Sequence, residues 1–239
     1  SAILVVGKRG EGCLENIGFR ILKRESKVSS TVIKKFENVV TPHVSDNMSR
    51  MFSGGTKLKP YCMLGKLLGA ALTVKTRPGG DNLMVHKAID LAEPGDVLVV
   101  DAGGDTTNAI VGEIMMKLSI KKGIKGFVIN GAIRDSSAFW NGDFPVYARG
   151  VTHRGPYKDG PGEINVPISI DGMVIQPGDL VLGDEDGVIA IPQTLTLDIL
   201  EHIKSQEKNE LEIFQAIENG SVDRTWVDAI LKEKGCEWN

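Results

Sequence analysis

Pro94-Gly95-Asp96-Val97-Leu98-Val99-Val100-Asp101-Ala102-Gly103-Gly104-Asp105 is the stretch that decides the fold. A Pro-Gly-Asp turn opens it, and four apolar residues follow without polar interruption. Such a run marks a strand buried on both faces of a parallel sheet. Towards the amino end, residues 82–91 have helical spacing in Leu83, Val85, Ala88 and Leu91, entered through the turn Pro78-Gly79-Gly80-Asp81. Residues 67–74 read as another strand before that turn. Towards the carboxyl end, residues 108–121 are expected to form a helix with Ile110, Val111, Ile114 and Leu118 facing the core. Residues 126–129 are a third strand, with Arg134-Asp135 just beyond it. A short helix over 136–140 and a strand over 146–148 follow. Alternating strands and helices predict helices laid over parallel strands.

The second half changes character. Gly160-Pro161-Gly162, Asp171-Gly172, Pro177-Gly178-Asp179 and Asp186-Gly187 separate short runs of β-branched residues, the signature of hairpins. Pro177-Gly178-Asp179 before an apolar run ending at Asp184 echoes Pro94-Gly95-Asp96 before the run ending at Asp101, and a shared way of entering a strand explains the echo. Residues 195–219 are expected to be helical, with Ile199, Ile203, Leu211 and Phe214 available for burial, and a last helix covers 223–232. Three units emerge: an amino-terminal arm (1–40) read as a docking or subunit-contact segment, a main domain (41–220), and a carboxyl-terminal helix and tail (221–239). The fold class is α/β, a helix-covered parallel core joined to a β-rich layer. Hairpins after the βαβ units argue against both a TIM barrel and a pure Rossmann fold.

Composition narrows function. The chain has 239 residues, with 28 Lys and Arg against 31 Asp and Glu, a net charge of −3. A mildly acidic balance argues against a chain built to grip nucleic-acid phosphates. No stretch approaches the ~20 apolar residues of a membrane helix, and residues 1–7 are too short an apolar run for a signal-peptide core. Cys13, Cys62 and Cys236 are scattered without metal or disulfide spacing. A reducing, cytoplasmic compartment is the expectation, with neither membrane nor nucleic acid as partner.

No glycine-rich nucleotide loop of known spacing, zinc-protease helix or serine-hydrolase elbow is present, and the four histidines are dispersed. The chemistry left over lies at two strand ends. Ligands of open α/β sheets bind beyond the carboxyl ends of strands, so the junction at Gly112-Glu113-Ile114-Met115 and the pair Arg134-Asp135 can share one crevice. A helix starting at Glu113 would offer the N–H groups of Ile114 and Met115 to an anion. The Arg134 guanidinium can bind a carboxylate through two hydrogen bonds. The Asp135 carboxylate is a hard ligand of the kind Mg²⁺ or Mn²⁺ uses while keeping waters. No lysine sits at these junctions, which disfavours a Schiff-base route. His86, on the first helix, reads as a scaffold residue.

Gly80-Asp81-Asn82-x-x-x-His86-x-Ala88 stands before the run at 94–101, and Gly103-Gly104-Asp105, Gly112-Glu113 and Asn130-Gly131-Ala132-Ile133-Arg134-Asp135 follow it. With Phe144-Pro145-Val146-Tyr147-Ala148-Arg149-Gly150, Pro177-Gly178-Asp179 and Gly183-Asp184-x-Asp186-Gly187-Val188, these motifs resemble the RraA-like family. That family includes the divalent-metal-dependent 4-hydroxy-4-methyl-2-oxoglutarate aldolases. The resemblance spans about residues 40–220. It implies an α-β-β-α sandwich with mixed sheets and helices outside, trimers or dimers of trimers, and active sites between subunits. The family's acid-x20-Arg-Asp signature falls on Glu113, Arg134 and Asp135, with Glu where many members carry Asp. Glu210 resembles a glutamate that completes the site from a neighbouring subunit, although Asn209 stands where a Lys is common.

The implied chemistry is pyruvate-forming aldol cleavage of a 4-hydroxy-2-oxo acid, with oxaloacetate decarboxylation as companion activity. In that scheme Asp135 holds Mg²⁺ or Mn²⁺ directly, and Glu113 and Glu210 act on it through water. Arg134 and the N–H groups of Ile114 and Met115 anchor the 2-oxo acid. The alternative, carried by members named for ribonuclease inhibition, is a protein-binding regulator of an RNA-degradation enzyme.

Overall fold

The computed structural model describes residues 16–52, 54, 56–63 and 65–237. In chain order the first elements are β1 (Phe19–Ile21), α1 (Ser30–Lys34), α2 (Thr41–Asn47), β2 (Lys59–Pro60), β3 (Leu67–Thr76) and α3 (Leu83–Leu91). The centre continues with β4 (Asp96–Asp101), β5 (Ala109–Val111), α4 (Glu113–Lys122), β6 (Phe127–Ile133), α5 (Ser136–Trp140) and β7 (Val146–Val151). Then come β8 (Gly162–Ile164), β9 (Ile168–Ile170), β10 (Met173–Ile175), β11 (Leu180–Asp184), β12 (Gly187–Ile191), α6 (Thr196–Glu218) and α7 (Thr225–Glu233).

Four parallel strands in the order β3-β4-β6-β7 form the middle of a mixed sheet. Strands β8 and β11 lie antiparallel to β3, β12 pairs with β11, and β2 runs antiparallel to β7. Successive side chains of a strand point to opposite faces, and β4 uses this to divide the core. Leu98 and Val100 pack with Val85 of α3 and Met115 of α4. Val97 and Val99 pack on the other side with Ile168, Ile170 and Met173 of the β9–β10 hairpin. Hairpin β11–β12 repeats the device. Val181 and Val188 face inwards, while Leu182 and Ile191 meet Phe36, Val44, Ile199 and Ile203 in an outer cluster. The layers therefore run helix, sheet, hairpins, helix.

The two Pro-Gly-Asp turns are one construction used twice. Gly95 and Gly178 have φ of +91° and +89°, the left-handed geometry that glycine adopts at the third position of a turn led by proline. In each, the aspartate closes the turn: Asp96 accepts the Glu93 N–H at 2.9 Å and Asp179 accepts the Gln176 N–H at 2.8 Å. Both aspartates are buried at the start of a strand. Burial pushes the Asp179 carboxyl above its ordinary range, against the pull of its backbone hydrogen bonds.

Three expectations change. The helix expected over 108–121 is a strand and then a helix: Ala109 and Val111 pair with Ala132 and Ile133 of β6, and α4 begins only at Glu113. Ile110 and Val111 are β-branched, and parallel pairing outweighs their helical spacing. The rotated helix buries Met115, Met116 and Ser119 and leaves Ile114 and Leu118 exposed. Second, residue 41 marks no break in packing. Strand β1 pairs with β8, and Arg24 makes two hydrogen bonds, 2.9 and 3.0 Å, to the fully buried Asp96. Phe36 lies wholly inside the outer cluster. The apolar run over residues 1–7 and Cys13 fall outside the described residues. Third, α6 buries Ile199 and Ile203 but leaves Leu211 and Phe214 each 57% exposed, because its second half runs past the body of the fold.

Candidate active site

The site grows from the carboxyl end of β6. All seven residues of that strand are buried, so its end is rigid, and the next two residues are Arg134 and Asp135. The Arg134 N–H donates to the Val111 carbonyl at 3.0 Å, which ties this end to β5. Asp135 sits in left-handed conformation, φ 56° and ψ 38°, a region that Asp tolerates better than most residues and that costs on the order of 1 kcal/mol. That turn brings its carboxylate back towards α4. Asp135 Oδ2 accepts the Glu113 N–H at 3.0 Å and lies 3.8 Å from Arg134 Nε.

Gly112 makes this closeness possible. A Cβ built on it would lie 2.6 Å from Asp135 Oδ2 and 3.0 Å from Arg134 Cγ. Helix α4 starts immediately after, and its first intrahelical bond runs from Met116 N–H to the Gly112 carbonyl at 3.1 Å. The N–H groups of Glu113, Ile114 and Met115 precede that bond. Asp135 takes the first, leaving Ile114 and Met115 to face an anion at the positive end of the helix dipole. Asn82, His86, Gly112, Ile114, Met115, Arg134, Asp135, Pro156 and Lys158 are among the residues enclosing a hollow of about 160 Å³. A larger hollow, about 320 Å³, lies beside Thr41, Lys59 and Glu185 at the opposite end of the parallel strands, away from these groups.

The expected set is thus only partly assembled. Arg134, Asp135 and the N–H groups of Ile114 and Met115 meet in one hollow. The Glu113 side chain turns along the helix to Lys117, 2.6 Å away, and it is the Glu113 backbone that reaches Asp135. Glu210 is elsewhere in the chain, on α6 against α2, where it meets His43 at 2.9 Å and Gln206 at 2.8 Å. These hydrogen bonds, Gln206 first, hold its carboxyl below the ordinary range.

A divalent cation fits this donor set in one form only. No cluster of three His, Cys, Asp or Glu side chains occurs among the described residues, so a caged tetrahedral zinc has no ligands here. Asp135 is half exposed, and among the described residues its Oδ1 accepts no hydrogen bond. One such carboxylate suits a hard cation that keeps most of its waters.

A family model described as RraA-like, Aldolase/RraA, matches residues 41–190. The chain belongs to the RraA-like family. Among RraA-like relatives, a Halalkalibacterium halodurans protein with a provisional 4-hydroxy-4-methyl-2-oxoglutarate aldolase name is 40% identical over 185 residues, 77% of this chain and 88% of its own. A crystal structure of an uncharacterized Pseudomonas syringae pv. tomato protein aligns with TM-score 0.71 and 28% identity, over 82% of this chain and 96% of that one. The RNA-processing inhibitor RraA from Thermus thermophilus aligns with TM-score 0.59 and 29% identity, over 65% and 93%.

Two residues of this RraA-like hollow carried no functional signal in the sequence. Lys158 stands on the loop between β7 and β8, and no motif marks it. That loop is stapled to the start of α3: Asp81 accepts the N–H groups of Leu83, Asp159 and Gly160 at 3.0, 2.6 and 2.9 Å. The junctions at 112–115 and 134–135 hold no lysine, yet a loop supplies one to the hollow. His86, read as scaffold, lines the hollow from α3. Burial lowers its pKa from 6.5, the Lys158 charge lowers it further, and Asp90 opposes both.

Proposed function

We propose that this protein is a divalent-metal-dependent lyase that releases pyruvate from 4-hydroxy-4-methyl-2-oxoglutarate-type acids and decarboxylates oxaloacetate. One observation carries the reading: Arg134, Asp135, Lys158 and the N–H groups of Ile114 and Met115 converge on one small hollow at the end of β6. The aldolase name of the Halalkalibacterium halodurans relative supports it. The Arg134 fork receives the carboxylate of a 2-oxo acid, and the helix start adds its N–H groups to the same anion. Lys158 gives the second carboxylate of a dicarboxylic substrate a partner. Asp135, steadied by the Glu113 N–H, is the residue that would hold Mg²⁺ or Mn²⁺. When bound, the cation supplies Lewis-acid stabilisation of the negative charge that develops on the substrate's keto oxygen.

In aldol cleavage the C4 hydroxyl gives its proton to water, C4 becomes the carbonyl of the second product as the C3–C4 bond breaks, and the electron pair left on C3 takes a proton from water to give pyruvate. In decarboxylation the same bond breaks and CO₂ leaves with no hydroxyl proton to remove, and C3 is protonated in the same way. Glu210 from a neighbouring copy of a homo-oligomer is the carboxylate proposed to order water around the reacting groups, and Glu113 joins it when its side chain leaves Lys117. The assembly expected is a trimer or a dimer of trimers.

Mixing the protein with oxaloacetate and Mg²⁺, and following pyruvate with and without EDTA, tests the reading. The expected result is turnover that EDTA removes and that Asp135→Ala abolishes. Absence of metal-dependent turnover of both oxaloacetate and 4-hydroxy-2-oxo acids overturns it. The match to the RNA-processing inhibitor gives the second reading its specific support. Binding of an RNA-degradation enzyme, retained in full by inactive Asp135→Ala, would favour that reading.

A further inference from the structure

Glu210 is held more firmly than its place near the surface requires. Its Oε1 accepts from the Gln206 amide at 2.8 Å, and its Oε2 lies 2.9 Å from His43 Nε2. An ionised carboxylate can only accept, so Nε2 carries the proton. The ring is closed behind it: Asn47 Nδ2 donates to Gln206 Oε1 at 2.6 Å and to the His43 carbonyl at 2.8 Å. Nδ1 of His43 is buried, has no hydrogen-bond partner among the described residues, and faces Glu207 at 3.7 Å. Both Glu210 oxygens are therefore engaged from within this chain, beside an open hollow lined by Asp46, His202 and Ile213.

We infer that His43 is a positioning residue for Glu210, fixing the carboxylate in one orientation before it meets the site of a neighbouring copy. The inference rests on the proposed lyase reading, in which Glu210 serves that site. A surface glutamate otherwise samples several rotamers, and each lost rotamer has an entropic cost. Holding the side chain in place within its own chain removes that cost from the catalytic encounter. Residues that orient a functional group from behind change activity about 10–100-fold when removed.

The test compares wild type, His43→Ala, His43→Gln, His43→Asn and Glu210→Ala with oxaloacetate and Mg²⁺. His43→Ala should lower kcat about tenfold or more with KM changed less than twofold. His43→Gln, whose amide nitrogen stands where Nε2 stands, should recover to within about threefold of wild type. His43→Asn, which reproduces only the Nδ1 position, should not recover. Adding His43→Ala to Glu210→Ala should cost nothing more, since a positioning residue acts only through what it positions. Crystals of His43→Ala should show Glu210 in more than one rotamer, at unchanged oligomer mass. Wild-type turnover with an unimpaired His43→Ala, additive losses in the double variant, or a smaller assembly overturns the inference and leaves the lyase reading standing. An inactive wild type removes both.

Discussion

Gly112 enters α4 with φ −150° and ψ −168°, an extended geometry open to any residue. A substitution there acts through space alone. Gly112→Ala puts a methyl group where Asp135 Oδ2 and Arg134 now lie, so metal-dependent turnover of oxaloacetate should fall about 100-fold, the order of loss from a small misplacement. Its circular dichroism should match wild type. His86 offers a second measurement. Burial and Lys158 disfavour its charged form, so its ring should titrate below 6.5 by NMR, and Lys158→Ala should raise the midpoint. The sign follows from a depressed pKa: the contribution to stability is present above the unfolded value, about 6.5, and is lost as pH falls through the lowered one. Arg134 and Asp135 stood out at this scale because they match the family's acid-x20-Arg-Asp signature, which is visible in one dimension; an isolated strand-end Arg-Asp pair reads as ordinary surface charge. Lys158 did not, because the N–H groups that Asp159 and Gly160 donate to Asp81 bring its loop across the hollow from another part of the chain.

At the scale of elements, β1, α1 and the segment between them are braced by one buried carboxylate. Asp96 is fully buried and takes Arg24 through both oxygens, with Lys27 at 3.2 Å. Removing one partner of a buried pair leaves an uncompensated charge. Arg24→Met should therefore lower the unfolding free energy by about 3 kcal/mol in urea titrations. Phe36→Ala should cost about 3–5 kcal/mol, because a cavity opens in the outer cluster. A segment that merely docked on the surface would show neither loss. The sequence over 20–30 is polar and aperiodic, so nothing local announces that its charges are buried. Periodicity likewise misread residues 108–112, where a three-residue strand and the start of a helix happen to share apolar spacing. It placed β4 and α5 and the extent of α3, although α3 buries Met84 and Ile89 beside Val85 and Ala88 and leaves Leu83 and Leu91 exposed.

For the whole molecule, the second half of α6 and α7 presents Leu211, Phe214, Ile217 and Trp226, each more than half exposed. Apolar surface of this kind marks an interaction site, in keeping with the proposed homo-oligomer. Leu211→Glu combined with Phe214→Glu should reduce the assembly mass by light scattering and lower turnover with it, while the melting profile of the monomer body persists. No helix among the described residues is long and apolar enough to cross a membrane. The sequence by itself determined the α/β class, the strand end at 101, the Pro-Gly-Asp entries and the Arg-Asp pair, because each depends on neighbours within a few residues. The apolar run places β6 only to 129, and pairing with β5 and β7 carries it to 133. Tertiary structure alone decided that 109–111 pairs as a strand, that residues 19–39 join the core, and that Glu113 turns to Lys117 while Glu210 turns to His43. Those outcomes are competitions between partners distant in the chain, settled by burial and by which hydrogen bonds can be completed at once.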